Sequence, residues 1–274
     1  MSLYRRATKL ELAEPNDYLM VNRLYPAAEG EGTTIGQAKW FLRFQGCSIG
    51  CKWCDSKETW RFDGIVEDWS TANNHMMFRL HEKDFDNFVK DMRERFPLLH
   101  HVSITGGEPL QQNPILLKKL IDKMIDNSYV IQVETSGQIT LNQDEETRKA
   151  MTNVMRNNGL ISIDFKTPSS GLDANVTAIK HFLGVRQSAV QVKAVIADDD
   201  DYNAAKKHYN ELMVEYPAAE YILTPCWTPG KQHALAKDAN AFFEKLFNDT
   251  EWHCLPKVIL QQHKVMFGTD NLDS

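Results

Sequence analysis

Short apolar runs rich in β-branched and aromatic residues alternate with segments of helical spacing along most of the chain. The runs predict strands at Lys39–Phe44, His101–Thr105, Tyr129–Thr135, Leu160–Phe165, Ala189–Ile196, Glu220–Thr224 and Lys257–Val265. The segments between them predict helices at Glu82–Arg95, Pro114–Asn127, Asp144–Asn157, Tyr202–Tyr216 and His233–Asn248. Strands that alternate with helices require parallel crossovers and a helix-covered sheet. The pattern therefore predicts an α/β fold, an incomplete parallel barrel of about six strands.

The length of the chain fits a single domain. With 274 residues, 42% of them hydrophobic, it can bury a full core. We expect one domain over residues 1–274. The polar segment 61–80 has no clean period and is expected to be a connecting loop or an insertion.

Charge and cysteine content narrow the class of protein. The net charge of -6, without a basic run, disfavours nucleic-acid binding. No stretch approaches the roughly 18 uncharged apolar residues of a membrane span, so a cytosolic protein is expected. Three of the five cysteines fall within eight residues, which indicates metal or redox chemistry in a reducing compartment. The isolated Cys226 and Cys254 are interpreted as buried thiols.

Unusual residues cluster immediately after the predicted strands. FQGCSIGCKWCD follows the first strand, TGGEPLQ the second, ETSG the third, DFKTPSSG the fourth and TPCWTPG the sixth. Active sites of parallel barrels form at the carboxyl ends of the strands. These five segments are therefore expected to converge on one site.

Cys47, Cys51 and Cys54 have the spacing C-x3-C-x2-C in a loop that contains glycines. Three thiolates can hold a 4Fe-4S cluster and leave one iron open to a further ligand. The alternative is a zinc site with Cys226, Cys254 or His263 as the fourth ligand. Zinc loops usually supply cysteines in two separated pairs, so the compact triad favours the cluster.

The segment from Thr105 to Pro109, TGGEP, follows the second strand. Its glycines allow a ligand to approach the backbone, and Glu108 can accept from an ammonium group. Alone, this turn is common in βα loops. Together with the cysteine triad, it becomes a candidate clamp for the methionine end of S-adenosylmethionine.

These two motifs resemble those of the radical S-adenosylmethionine superfamily. Within it, the chain is similar to the 7-carboxy-7-deazaguanine synthase family from about Glu29 to Gly268. The supporting segments are GEGTTIGQAKWFLRFQGCSIGCKWCDSKETW, VSITGGEPLQQ, VETSG, ISIDFKTPSSG and QQHKVMFG.

The resemblance implies a radical ring contraction of 6-carboxy-5,6,7,8-tetrahydropterin to 7-carboxy-7-deazaguanine, with loss of ammonia. A reduced 4Fe-4S cluster would donate an electron to S-adenosylmethionine, and the 5'-deoxyadenosyl radical would abstract a hydrogen from the pterin. It further implies a magnesium ion, a reducing partner such as a flavodoxin, and a homodimer.

The resemblance also assigns residues to these ligands. Contacts with the substrate fall on Glu29, Gly30, Arg43, Thr105 and His263. Contacts with S-adenosylmethionine fall on Trp53, Asp55, Gly107, Glu108, Glu134, Asp164, Lys166, Thr224 and Pro225. Ser56 corresponds to the magnesium ligand.

Several of these residues have structural alternatives. Arg43 can pair with a neighbouring carboxylate, and Asp55 and Ser56 can cap the next helix or turn. His263 can be a hydrogen-bonded core histidine, and Glu134 can satisfy a loop backbone. Alternation along the first strand nevertheless puts Lys39, Phe41 and Arg43 on one face and Trp40, Leu42 and Phe44 on the other. The apolar face should meet the helices, which leaves Arg43 directed into the barrel.

The chain departs from the family pattern in three places. Glu29 stands where the family commonly has Gln, so an amide is replaced by an acceptor-only carboxylate. Asp164-Phe165-Lys166 stands where a Ser-Pro-Lys segment is common. The chain also continues past the histidine segment to Ser274.

Two other functions share part of this pattern. A glycyl-radical activase has the triad and a similar size, but the GEG and QQHK segments disfavour it. A zinc-binding module without enzymatic activity belongs to a different class, which iron and sulfide analysis distinguishes.

Overall fold

One mixed β-sheet flanked by helices dominates the computed structural model. The structure describes residues 17–62, 67–71, 76–226 and 234–262, without the side chains of residues 143 and 234–239. Its strands are β1 Tyr18–Ala28, β2 Ala38–Phe44, β3 Glu67–Asp68, β4 Met76–His81, β5 His101–Gly106, β6 Val130–Thr135, β7 Leu160–Phe165, β8 Val190–Ile196, β9 Glu220–Pro225 and β10 Lys257–Val258. The helices are α1 Phe85–Arg95, α2 Pro114–Asp126, α3 Glu145–Arg156, α4 Val176–Arg186, α5 Asp199–Glu215 and α6 Ala234–Asn248.

The strand order in the sheet is β10-β9-β8-β7-β6-β5-β2-β1-β4-β3. All neighbouring strands from β2 to β10 along this order are parallel. β1 is antiparallel to both β2 and β4, and β3 is parallel to β4. Within the described ranges, none of the helices is long and apolar enough to cross a membrane.

The sheet extends beyond the predicted barrel strands. Across the described residues it has ten strands, whereas about six were predicted for the barrel. The stretch 61–80 is not only loop, because it contains β3 and most of β4. β1 escaped prediction because Asn22, Arg23 and Pro26 interrupt its apolar pattern, and its register with β2 shifts between Val21 and Arg23. Helix α4 was also missed, although the Asn175 side chain caps it at the Ala178 N–H.

The two faces of β2 differ as its alternation predicts. Trp40, Leu42 and Phe44 are fully buried in the core beneath the helices. The Trp40 ring meets Phe96, just after α1, edge to face at a centroid distance of 5.2 Å. Arg43 points to the opposite side of the sheet.

That opposite side carries polar residues in register across the parallel strands. Arg43 on β2 lies beside Thr105 on β5, and Glu134 on β6 lies beside Ser162 on β7. Partners in a parallel ladder point to the same face, so the predicted site residues from several strands are gathered there. We call this side the inner face.

We predict that Trp40→Ala lowers the free energy of unfolding by about 3–5 kcal/mol, because it empties a fully buried volume. Ile115→Ala on α2 is the matched control, because that side chain is 52% exposed. It should change stability by less than about 0.5 kcal/mol. Urea unfolding followed by circular dichroism measures both, and equal losses would contradict the assignment of the core face.

Candidate active site

The loop after β2 carries all three clustered cysteines. Cys47 and Cys51 are buried and Cys54 is half-buried. The Cys54 N–H donates to the Cys51 carbonyl at 3.2 Å. The loop turns at Gly46, whose φ of +103° is left-handed and where a Cβ would lie 2.3 Å from the Phe62 ring. This turn therefore requires glycine.

The glycine turn after β5 packs directly on the cysteine loop. The Gly107 N–H donates to the Phe44 carbonyl and the Glu108 N–H to the Gly46 carbonyl, both at 2.9 Å. A Cβ on Gly107 would lie 2.2 Å from the Gly46 carbonyl oxygen. The two motifs thus form one backbone unit, which we call the Gly46–Gly107 clamp.

The carboxylate of Glu108 is directed into the protein. It accepts from the Leu110 N–H at 3.1 Å, from the Thr135 hydroxyl at 2.8 Å and from the Ser136 N–H at 2.8 Å. The side chain is fully buried. Glu108 therefore ties the TGGEP turn to the end of β6.

A cavity of about 300 Å³ opens at the carboxyl ends of the parallel strands. Most of the predicted site residues line it: Glu29, Gly30, Arg43, Cys47, Cys51, Trp53, Cys54, Asp55, Ser56, Thr105, Gly107, Glu134, Asp164 and Lys166. Glu108, Thr224 and Pro225 lie outside this lining, and His263 lies outside the described residues.

Burial raises the pKa of each of the three clustered thiols. Burial first and the Glu108 carboxylate second raise the pKa of Cys47 to about 12. Burial also raises the pKa of Cys51, whereas the nearby Lys166 ammonium lowers it. Burial raises the pKa of Cys54 as well. Raised pKa values favour neutral thiols in the metal-free protein, and the binding of a metal centre would release their protons.

A buried cation lies beside the cysteine loop. Lys166 Nζ donates to Asp164 Oδ2 at 2.7 Å and lies 5.3 Å from the Trp53 ring centroid. Burial lowers the pKa of Lys166, but Asp164 first and then Cys51 raise it above its ordinary value. Trp53 is itself held by Ser169, whose hydroxyl accepts from its indole N–H at 3.1 Å.

Arg43 reaches the cavity with one nitrogen unused. Its Nη2 donates to the Tyr25 hydroxyl at 3.1 Å and its Nη1 to Glu58 Oε1 at 3.4 Å. Its buried Nε has no partner among the described residues. The pairing with a carboxylate is long and Glu58 is exposed, so it contributes little. Burial lowers the pKa of Arg43, while Tyr25 and then Glu58 raise it overall.

Glu29 is fully engaged within the protein. Its Oε2 accepts from Lys39 Nζ at 3.0 Å and from Gln132 Nε2 at 2.8 Å. Its Oε1 accepts from the N–H groups of Gly30 at 3.0 Å and Glu31 at 3.2 Å. Its side chain is therefore part of the cavity's framework.

Glu134 lies on the inner face at the cavity. Its Oε1 accepts from the Ser103 hydroxyl at 2.7 Å and from Gln132 Nε2 at 3.2 Å, so its partners are side chains rather than a loop backbone. Burial first and Glu29 second raise the pKa of Glu134, Lys193 lowers it, and the pKa lies at about 7. A carboxyl group of this kind can carry or release a proton near neutral pH.

Three residues to which the sequence analysis assigned no role join two distant parts of the cavity lining, although two of them lie in its GEG and QQHK segments. Lys193 Nζ donates to Glu31 Oε2 at 2.7 Å, and Gln261 Nε2 donates to Glu31 Oε1 at 2.7 Å. Burial lowers the pKa of Lys193, but Glu31 and then Asp164 raise it well above its ordinary value. A lysine at an inward position of β8, where Gln191 is the other polar residue, was the available signal.

Asp55 and Ser56 both line the cavity. The Ser56 hydroxyl donates to Asp55 Oδ1 at 3.3 Å and does not cap the following 3-10 turn Lys57–Trp60, so the capping alternative is wrong for Ser56. Across the part of the chain that the structure describes, no three His, Cys, Asp or Glu side chains form a ready-made site for a single metal ion such as magnesium. Magnesium binding stays a prediction.

Two predicted site residues lie at the end of β9. Thr224 lies beside Val195 on the inner face, and its buried hydroxyl has no partner among the described residues. Pro225 ends the strand.

The two isolated cysteines were both expected to be buried. Cys226 is half-buried and lines the cavity. Cys254 is exposed, so its assignment as a buried thiol is wrong; the apolar character of a thiol does not by itself decide its position.

The sequence matches the family model of a 4Fe-4S single cluster domain over residues 28–169. A 7-carboxy-7-deazaguanine synthase of Bacillus subtilis is 31% identical over 262 residues, which cover 89% of this chain and 93% of that protein. A synthase of the same name from Bacillus cereus is 28% identical over 260 residues, with 89% and 93% covered.

The fold resembles that of a solved structure. The crystal structure of QueE from Escherichia coli matches with a TM-score of 0.55 and 20% sequence identity, covering 90% of this chain and 95% of that one. At this identity the match concerns the fold.

The Gly46–Gly107 clamp can be tested with two alanine substitutions that should change the free energy of unfolding in opposite directions. Gly107→Ala should lower the free energy of unfolding by more than about 2 kcal/mol, because the new Cβ overlaps a backbone oxygen. Gly184→Ala in α4 meets nothing within 4 Å and should raise it by about 0.5–1 kcal/mol. Denaturant unfolding measures both. A neutral Gly107→Ala would show that the clamp is loose.

The raised pKa of Glu134 predicts a pH-dependent stability. Between its ordinary 4.5 and about 7, the folded protein keeps a proton that the unfolded chain has released, so raising the pH favours unfolding. From about pH 4.5 to 7.5, wild type should lose about 1–3 kcal/mol relative to Glu134→Gln. Urea unfolding at several pH values measures this difference, and parallel profiles would refute it.

Proposed function

The chain belongs to the 7-carboxy-7-deazaguanine synthase family, and we propose that it converts 6-carboxy-5,6,7,8-tetrahydropterin to 7-carboxy-7-deazaguanine with loss of ammonia. The product is a precursor for 7-deazapurine and queuosine biosynthesis. One observation carries the proposal: the cysteine loop, clamped to the TGGEP turn, opens into the same cavity as Arg43 and Glu134. Family membership sets aside the glycyl-radical activase and the zinc module.

The donor set of the loop fits a 4Fe-4S cluster. Cys47, Cys51 and Cys54 supply three thiols from one short loop to one cavity, and a cluster held by three cysteines leaves one iron for another ligand. Lys166 beside Cys51 would balance part of the negative charge of the thiolates. When bound, the reduced cluster and S-adenosylmethionine supply the 5'-deoxyadenosyl radical that abstracts a hydrogen from the pterin.

We assign the residues nearest the cysteine loop to S-adenosylmethionine. Gly107 leaves backbone space beside the loop, and Trp53, Asp55, Asp164 and Lys166 line the adjoining wall. Thr224 at the end of β9 has an unpartnered buried hydroxyl, which favours a polar ligand there. We keep Pro225 in this group because it follows Thr224 directly. Glu108 would act indirectly, because its three hydrogen bonds hold the TGGEP turn in place.

The pterin is assigned to the part of the cavity between Arg43 and Glu29–Glu31. Arg43 can bind the substrate carboxylate with its planar fork, and such binding would give partners to a guanidinium that lacks one at Nε. Thr105, beside Arg43 in register, and the Gly30 backbone complete this wall. The resemblance places Glu134 at S-adenosylmethionine, but we assign it to this wall, where its pKa of about 7 lets it hold or release a proton at the ring.

Magnesium would bind at Ser56, beside the Asp55 carboxylate, because oxygen donors suit a hard cation. Their existing hydrogen bond brings the two oxygens to 3.3 Å. A pterin carboxylate held by Arg43 can supply a further oxygen ligand.

We further propose that the parallel strands curve into an incomplete barrel. β1 and β10 are seven neighbours apart in the strand order, which is about 34 Å across a flat sheet. Yet Gln262 N–H, just after β10, donates to the Gly30 carbonyl, just after β1, at 2.9 Å. Curvature explains how these short extensions meet.

The remaining expectations stay predictions. We place the reaction in the cytosol, where a reducing environment keeps the cysteines available. We treat residues 1–274 as a single domain. We expect a reducing partner such as a flavodoxin, and we expect the protein to form a homodimer.

Anaerobic enzyme assays test the proposed function. Reconstituted protein should carry about four irons per chain, and with a reductant it should convert the carboxypterin to a product with the mass of 7-carboxy-7-deazaguanine. Cys51→Ala should abolish cluster binding and turnover. Protein that forms 5'-deoxyadenosine but leaves the pterin unchanged would refute the substrate assignment.

Arg43→Lys separates the substrate role from a structural one. We predict that it lowers turnover of the pterin by at least about tenfold at unchanged iron content, because lysine keeps the charge and loses the planar fork. Glu58→Gln is the matched control, because it removes the exposed partner and should change turnover little. Wild-type kinetics in Arg43→Lys would show that Arg43 serves only the structure.

A further inference from the structure

Lys39 is buried among polar groups just beneath the cavity wall. Only 1% of the residue is exposed. Its Nζ donates to Glu29 Oε2 at 3.0 Å, to Thr34 Oγ1 at 2.7 Å and to Gln132 Oε1 at 2.7 Å. An ammonium group has three hydrogens, so these acceptors use all of its donors. Lys39 is therefore fully committed to neighbouring protein groups.

The Lys39 ammonium, together with the Thr34 hydroxyl that donates to the same oxygen at 2.8 Å, sets which way the Gln132 amide points. Because Gln132 Oε1 accepts from Lys39, the amide nitrogen is turned the other way. There it donates to Glu29 Oε2 at 2.8 Å and to Glu134 Oε1 at 3.2 Å. A flipped amide would place its N–H groups against the ammonium and its oxygen against two carboxylates. One lysine thus orders both acidic side chains.

Glu29 transmits this order to the backbone of the wall. The oxygen that does not face Lys39 accepts from the N–H groups of Gly30 and Glu31. Glu31 in turn accepts from Lys193 on β8 and from Gln261 near the described carboxyl end. The segment Glu29–Glu31 is therefore anchored from both sides of the inner face.

The charges make Lys39 necessary to this arrangement. Glu29 and Glu134 share the amide of Gln132, and their mutual repulsion contributes to the raised pKa of Glu134. Lys39 is the cation in direct contact with Glu29. Removing it would leave a buried carboxylate beside a second acidic group, and the wall would have to rearrange or take up a proton.

We propose that Lys39 is a positioning residue for the pterin: through Glu29 and Gln132 it fixes the cavity wall formed by Glu29–Glu31 and Glu134. This inference rests on the proposed function. Lys39 itself does not line the cavity, so its effect passes entirely through these neighbours.

The test compares three variants with wild type under anaerobic conditions. Lys39→Met removes the cation, and Glu29→Gln/Lys39→Met removes both charges of the pair. Lys206→Met is the matched control, because it breaks an equally direct ion pair, with Asp249 at 2.9 Å, among residues that do not line the cavity. The measurements are iron content, thermal unfolding, cleavage of S-adenosylmethionine without pterin, and kcat/KM for the carboxypterin.

In Lys39→Met we expect kcat/KM for the pterin to fall at least about tenfold while pterin-independent cleavage stays within about twofold of wild type. The double variant should recover part of the loss, because it leaves no unpaired charge. Lys206→Met should lower thermal stability without changing kcat/KM. Equal losses of cleavage and pterin turnover in Lys39→Met, or no recovery in the double variant, would overturn the inference.

Lys39→Gln provides a second route should Lys39→Met not fold. It removes the ammonium charge but keeps a polar side chain, and we again expect pterin turnover to fall with cleavage retained. Unchanged pterin turnover in this variant would overturn the inference while leaving the proposed function intact. Wild-type protein that does not convert the pterin would overturn both.

Discussion

The pairing of buried charges on the inner face is the constraint on which the site depends. Lys39 pairs with Glu29, Lys193 with Glu31 and Lys166 with Asp164, and each lysine is almost completely buried. A buried charge without a partner is strongly destabilising. The first and second pairs tie β2 and β8 to the loop after β1, and Lys193 also lies 3.9 Å from Asp164 on β7, so these charges hold the cavity wall together.

The opposite face of the sheet, which packs against the helices, supplies the apolar burial that the polar inner face lacks. Its strands present apolar residues to the helices, and this gave the clearest signal in the sequence. β7 was predicted at its observed bounds, and α2 and α3 within a residue at each end. β1 and β4 were not predicted, because polar residues interrupt their patterns and their pairing with each other and with β2 is decided by tertiary contacts.

The candidate site could be predicted as far as its local motifs extend. The cysteine loop and the TGGEP turn follow strands, and their shared position could be inferred from the order of the elements. The inward direction of the Glu108 side chain could not be inferred, because it depends on hydrogen bonds from Thr135, which ends β6, and from Ser136, which follows it. Lys193 and Gln261 were missed for the same reason: their partner Glu31 is distant in sequence.

Anomalous diffraction at the iron edge, from anaerobic crystals soaked with S-adenosylmethionine and the carboxypterin, tests the account most directly. The account predicts an iron-sulfur cluster bonded to Cys47, Cys51 and Cys54, with the pterin carboxylate on Arg43 and its ring against the wall of Glu29–Glu31 and Glu134. Iron bound elsewhere, or a pterin outside this cavity, would contradict it.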